Sequence, residues 1–187
     1  MKTVKIIILI FLTSLFTTEC SKDDNDATET GIGTGTLTIK GAEYELVQGT
    51  IYKNMERISS PYNFDIDLVT ATINGTLHLV ALEMYTATED DLQPGTYNYG
   101  TNETFPAGTF SGIICIDMNI VTEESSYGYI TKSGTVLVNK SDSEYELTMD
   151  LIADKYEYDS VEEDFVVTES DVEILCYYKG SLKKDVH

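Results

Sequence analysis

The sequence predicts an all-β fold, an antiparallel β-sandwich of jelly-roll-like kind, with a closed lipocalin-like β-barrel as the alternative. Three observations lead there. From Lys40 onward apolar residues recur at every second position, no segment carries a helical stripe of ordinary length, and turn signals return every ten to fifteen residues or so. Strands wet on one face alternate in this way, and about eight to ten of them fit the chain. No internal repeat of fixed period is present, which excludes a propeller or solenoid.

Taken in order, GTLTIKGAEYEL (35–46) reads as two short strands around Lys40 and Gly41. YNFDIDLVTATINGTLHLVALEMY (62–85) reads as a hairpin turning on Asn74 and Gly75, a pair that tolerates the positive φ angles of a type I′ turn. A simple two-residue turn there puts Phe64, Ile66, Leu68, Leu77, Leu79, Ala81 and Tyr85 on one face, the expected core. The stretches 93–100 and 108–120 add further strands. SGTVLVNK and EYELTMDL (133–140 and 144–151) flank a polar turn, with Tyr145, Leu147, Met149 and Leu151 alternating with polar residues. The charge-rich stretch 154–171 reads as an exposed excursion with a short strand at Phe165–Val167, and 171–182 as the closing strand.

Residues that could carry catalysis are few. The chain has two histidines, His78 in a strand and His187 at its last position, so any nucleophile–histidine arrangement would be built on His78. The simple hairpin register places His78 opposite Ala71, on the face that carries Asp65 and Asp67. A solvated strand histidine is the plainer reading, and paired carboxylates in so acidic a chain are uninformative until their separation in space is known. Asp23, Asp24 and Asp26 lack the Gly and distal Glu of a calcium loop. No catalytic residue, metal site or cofactor is therefore assigned, and a hydrolase ranks below the non-enzymatic readings. Cys115 and Cys176 both sit in apolar strands, where two separate buried thiols are the commoner outcome and a bridge the alternative.

Tyr-x-Tyr occurs at 97/99, 127/129 and 156/158. Residues two apart on a strand face one side about 7 Å apart, a spacing that suits successive units of a chain-like ligand. Tyr127, Tyr129, Tyr156 and Tyr158, in the most loop-like surroundings, are the candidate binding surface; the competing reading is that tyrosine simply favours strands.

At the beginning of the chain, Lys2 and Lys5 precede an apolar stretch, IIILIFLTSLF (6–16), shorter than the roughly 20 residues of a membrane-spanning helix. The stretch ends at Cys20, followed by SKDDND. This layout resembles a bacterial lipoprotein signal, although Thr17, Thr18 and Glu19 differ from the Leu and small residue usual in such signals. The resemblance implies that residues 1–19 are removed, that Cys20 becomes the lipidated first residue, and that 20–33 form an acidic linker of the kind that directs Bacteroidota lipoproteins to the outer face of the outer membrane. A single domain is then expected over 34–187.

The chain holds 32 Asp and Glu against 12 Lys and Arg, a net charge of −20, and loss of residues 1–19 leaves the remainder one unit more negative. That excess repels phosphate backbones, and no basic stripe counters it, so nucleic acid is excluded as a partner. The run LQPGTYNY, the following GTF, SGTVLVNKSDSEYELTMDL and YYKGSL resemble a recurrent pattern in small Bacteroidota lipoproteins, spanning roughly residues 34–182. These motifs specify turns and strands, and the resemblance implies a surface β domain rather than a chemistry. Asp159, Ser160 and Val161 match the short O-glycosylation acceptor pattern of the same group, with Ser160 as the acceptor. The expected function is a non-enzymatic, surface-anchored binding module, held to the membrane by its lipid, for a glycan or a host or neighbouring surface protein. The alternative is a structural or adhesin-type subunit that pairs through an edge strand.

Overall fold

Apolar residues at alternate positions can be buried from water only if the strands that carry them face a shared interior. In the computed structural model, which describes residues 31–54, 60–100, 105–122, 124–125, 127–159 and 164–185, ten strands do this. They are β1 (Ile32–Ile39), β2 (Ala42–Lys53), β3 (Tyr62–Thr70), β4 (Thr76–Thr86), β5 (Gly95–Tyr99), β6 (Thr109–Asn119), β7 (Tyr127–Ser141), β8 (Glu144–Asp159), β9 (Asp164–Ser181) and β10 (Lys183–Asp185).

The fold is all-β, as the periodicity predicts. β1, β2, β3, β4, β6, β7, β8 and β9 each pair antiparallel with the next, and β9 returns to pair with β1, so the sheet closes on itself. This ring of next-neighbour connections is the up-and-down arrangement of a barrel. Short β5 wedges between β6 and β7, parallel to the first and antiparallel to the second, and β10 lies parallel to the far half of β2.

Inside the ring, Leu37, Leu46, Ile66, Leu82, Ile114, Val136, Leu147 and Ile174 are all fully buried and belong to one continuous core. The turns Lys40-Gly41 and Asn74-Gly75 both have positive φ at both residues, as a type I′ hairpin requires. Cys115 and Cys176 are free and buried. They belong to different clusters, Cys176 to the interior and Cys115 to a smaller group on the outer face with Leu79, Ala81 and Met118.

Two expectations are corrected. Beside the Asn74-Gly75 turn, Ile73 bridges Thr76, but the ladder resumes at Val69 opposite Leu79, so residues 70–72 of one strand face only 77–78 of the other. One extra residue reverses the facing of a whole strand. Val80, Leu82 and Met84 therefore join Phe64, Ile66 and Leu68 inside, while Leu77, Leu79, Ala81 and Tyr85 lie on the outer face. The charge-rich stretch 154–171 is also not a loose excursion. Its flanks continue β8 and β9 as one long hairpin, with Tyr156 opposite Val167 and Tyr158 opposite Phe165. β-branched and aromatic residues sustain the strands there despite the charge.

The two ends of the ring differ. At the end carrying the β7–β8 turn, three phenols are buried and each donates its hydroxyl: Tyr145 to Asp91 Oδ1 at 2.5 Å, Tyr97 to the Gln93 carbonyl at 2.8 Å and Tyr178 to the Ser181 carbonyl at 2.9 Å. Asp91 also accepts from Lys140 and from the Leu92 N–H, and Leu92 itself is fully buried. Tyr178 fits because Gly33 carries no side chain, since a Cβ there would stand 2.4 Å from the phenol ring. This end is plugged.

The register separates two tyrosines that look alike in sequence. Tyr129 is 4% exposed in the core and Tyr158 is 55% exposed. Tyr129→Ala is expected to lower the unfolding free energy by about 3 kcal/mol or more, and Tyr158→Ala by no more than about 0.5 kcal/mol, read from urea titrations. Equal losses at the two positions would contradict this facing of β7 and β8.

Candidate functional site

At the opposite end, the interior changes from aliphatic to aromatic and polar. Tyr127 and Tyr129, two apart on β7, have ring centroids 5.9 Å apart with planes at 77°. Tyr44 reaches in from β2, packed against the core two residues from Leu46, and His78 meets its ring edge-on at 4.4 Å. The Lys155 ammonium lies 4.1 Å from the centre of the Tyr127 ring, a cation–π contact, and donates to Glu157. Burial, with Tyr127, Glu169, Tyr44 and Glu157 adding to it, pushes the Tyr129 phenol up to about 12. Tyr127 is raised as well, burial leading. These rings are therefore neutral hydrogen-bond donors near pH 7.

One step deeper on β7, Thr131 is 1% exposed and its hydroxyl has no hydrogen-bond partner among the described residues. The stripe Tyr127, Tyr129, Thr131 thus runs from the half-buried mouth to an unsatisfied polar group in the interior. His78 is held by its backbone N–H to Thr70 Oγ1 at 2.9 Å, and its Nδ1 accepts the Asp117 N–H at 3.1 Å. An accepting Nδ1 leaves the proton on Nε2, so the 3.8 Å approach of the Asp117 carboxylate to Nδ1 is not a charged pair in this geometry.

The four candidate tyrosines do not form one surface. Tyr156 stands opposite Gly128, whose facing is opposite to that of Tyr127 and Tyr129 on either side of it, and Tyr158 packs edge-on against Phe165 at 5.6 Å. Cys20 and Ser160 lie outside the described residues. Sequence reading missed Tyr44, Lys155 and Thr131 as members of the mouth. Tyr44 was legible in the alternation of EYEL, whereas the other two depended on which strands the ring brings together.

A second constellation lies on the outer face. Tyr52, Asp65, Glu83 and Ser111 are consecutive cross-strand partners on β2, β3, β4 and β6, and Asp67 is next in line on β3. His78 does not share this face, because the extra residue in the hairpin turns it inward beside Tyr44. Burial, then Glu83 and Asp67, raise Asp65 to about 7 against the lowering hydrogen bond from Asn63. Burial raises Asp67, 6% exposed, to about 7 against a hydrogen bond from Tyr52. Glu83 Oε2 accepts from Tyr85 at 2.8 Å and Ser111 at 2.9 Å. Among the described residues no three His, Cys, Asp or Glu side chains converge as a metal-ligand set.

No protein-family model, curated protein or solved structure matches the chain, so the reading of either site rests on the residues themselves.

The raised carboxyls tie stability to pH. An Asp that titrates near 3.8 when unfolded and near 7 when folded holds its proton more tightly in the folded state. Its contribution is fully present below about pH 4 and is lost as pH rises through 7. The wild-type midpoint should therefore be lower at pH 8 than at pH 5, and Asp67→Asn, neutral throughout, should reduce that fall and be the more stable chain at pH 8. Parallel thermal-melt profiles for the two proteins across this range would contradict the assignment.

Proposed function

We propose that this chain is a surface-anchored lipoprotein whose β domain is a non-enzymatic binding module for an extracellular glycan or surface protein, engaged at the aromatic mouth. The observation that carries the reading is the asymmetry of the ring. One end is filled by phenols whose hydroxyls are all satisfied. The other presents the half-buried Tyr44 and Tyr127 with neighbouring charge, and below them lie the buried Tyr129 and a Thr131 hydroxyl unpartnered among the described residues. A flat apolar ring with a polar handle suits ligands that carry both apolar faces and hydroxyls, as sugars do. Lys155 and Glu157 beside the rings supply a donor and an acceptor of opposite charge.

Support for the adhesin-type alternative is weaker. Strand addition needs a free edge of some length; ring closure pairs most of the described strand length on both sides, and the free edges that remain are the outer edge of three-residue β10 and the Asp164–Glu173 half of β9, which beyond the end of β1 pairs with β8 alone and is rich in charge. A hydrolase would draw on Asp65, Asp67 and Glu83, yet His78 faces away from them.

Two experiments test the proposal. Cys20→Ala should move the protein from the membrane to the soluble fraction, and wild-type protein found soluble with a different first residue refutes the anchor. On a glycan and surface-protein array, wild type should capture a defined ligand that Tyr127→Phe with Lys155→Met captures at least tenfold less well, a change of about 1.4 kcal/mol. Capture undiminished in that double variant removes the mouth as the binding site.

A further inference from the structure

The outer-face row of carboxylates is unbalanced in charge and in hydrogen bonding. None of the ion pairs among the described residues involves Asp65, Asp67 or Glu83. Directly opposed on β3 and β4, Asp65 and Glu83 repel whenever both are ionised. Asn63 lies on the same strand and is 3% exposed; its amide donates to Asp65, and its Oδ1 has no partner among the described residues. Asp65 Oδ1 is likewise buried without a partner among them. Both orphaned atoms are acceptors. A buried acceptor left without a donor carries its desolvation cost uncompensated, and two of them within one hydrogen-bonded pair mark a place where a donor is missing.

We infer that the outer face of β2, β3, β4 and β6 around Asp65 is a binding site for an organic cation with several N–H donors, a primary ammonium or guanidinium head group. Such a group supplies what the row lacks: positive charge between Asp65 and Glu83, and donors for Asp65 Oδ1 and Asn63 Oδ1. The surrounding acceptors are already fixed. Tyr85 and Ser111 hold Glu83, and Tyr52 bonds Asp67, so these acceptors stay in place while the Asp65 and Asn63 side chains turn to bring their buried oxygens to the head group. Asp65, Glu83 and Ser111 remain half-buried, which leaves the head group a way in from solvent. The site is separate from the aromatic mouth, across the wall of the ring, and stands whether or not the mouth binds sugars.

The test is a thermal-shift titration of the full protein at pH 8, where the carboxyls are ionised, with n-butylammonium, n-butylguanidinium and n-butyltrimethylammonium chlorides at constant ionic strength. The first two should raise the midpoint saturably, by about 3–5 °C at ten times the half-saturating concentration. The third keeps charge and alkyl chain but has no N–H, and should shift it at least tenfold more weakly. Asp65→Asn and Glu83→Gln, each isosteric, should fold and lose the response. The site is refuted if neither donor cation gives a saturable shift, or if both variants respond as wild type does. A trimethylammonium response equal to the others refutes the hydrogen-bonding basis.

Discussion

Everything in this fold depends on β1 pairing on both of its edges. Thr34–Ile39 lie against Ile174–Lys179 of β9 on one side, and Gly35–Ile39 lie against Ala42–Leu46 of β2 on the other. Without the β9 pairing the sheet would have two long open edges, each a row of unpaired N–H and C=O groups. With it, the alternation along each strand acquires a fixed meaning, one parity inside and the other outside. Gly33 and Gly35 make the approach close: a Cβ at Gly35 would lie 2.2 Å from the Tyr177 carbonyl. The closure that joins β1 to β9 thus passes through positions where a larger side chain collides with its neighbours.

A closed ring of strands must bend, and irregularities in β7, β8 and β9 fall at one level to allow it. The β7–β8 register slips between Thr131 and Ser133, the β8–β9 register slips between Ala153 and Lys155, and Asp171 takes a positive φ of 59°. Bulges increase local twist and re-aim side chains. Here they bring Lys132 within 2.9 Å of Asp154 and 2.8 Å of Asp171, one cation between carboxylates from two neighbouring strands. Solvent screens such exposed pairs and leaves each contributing little, so they do not hold the barrel together. Their effect is local, relieving carboxylate repulsion in a chain where acids outnumber bases 32 to 12.

Period-two alternation fixed the class of fold, and the residues that need positive φ marked the hairpins at Lys40-Gly41 and Asn74-Gly75 correctly, because both signals are local. Ring closure was not legible, since it depends on pairing between residues more than a hundred positions apart. Nor was the facing of the central hairpin. Nothing in VTATINGTLH shows that residues 70–72 will be spanned by only two on the other side; Thr70 Oγ1 accepting the His78 N–H is part of what makes that arrangement, and it is a side-chain bond. The tyrosine pairs failed to converge for a related reason. Gly128 sits between Tyr127 and Tyr129, and it is the residue that Tyr156 opposes. Identical Tyr-x-Tyr spacing on neighbouring strands therefore points two pairs to opposite sides of one wall.

That single extra residue in the β3–β4 hairpin also decides what each candidate site contains. In the simple register, His78, Asp65 and Asp67 share a face, a mixed set suited to proton transfer or metal ligation. In the observed register His78 enters the ring and joins Tyr44, and the carboxylates remain on the other side with hydroxyls and an amide around them. Separation gives each site one character. The mouth holds phenols, an imidazole and one compensated ion pair, a set that suits the largely uncharged ligand proposed for it. The outer row holds acceptors in excess, so only a cation or a shared proton relieves it, and the carboxyls raised to about 7 are the proton-bound form of the same deficit. A histidine on that face would have answered it from within the chain. Turned inward by one residue, it leaves the row to protons below pH 7 and open to an external donor above it.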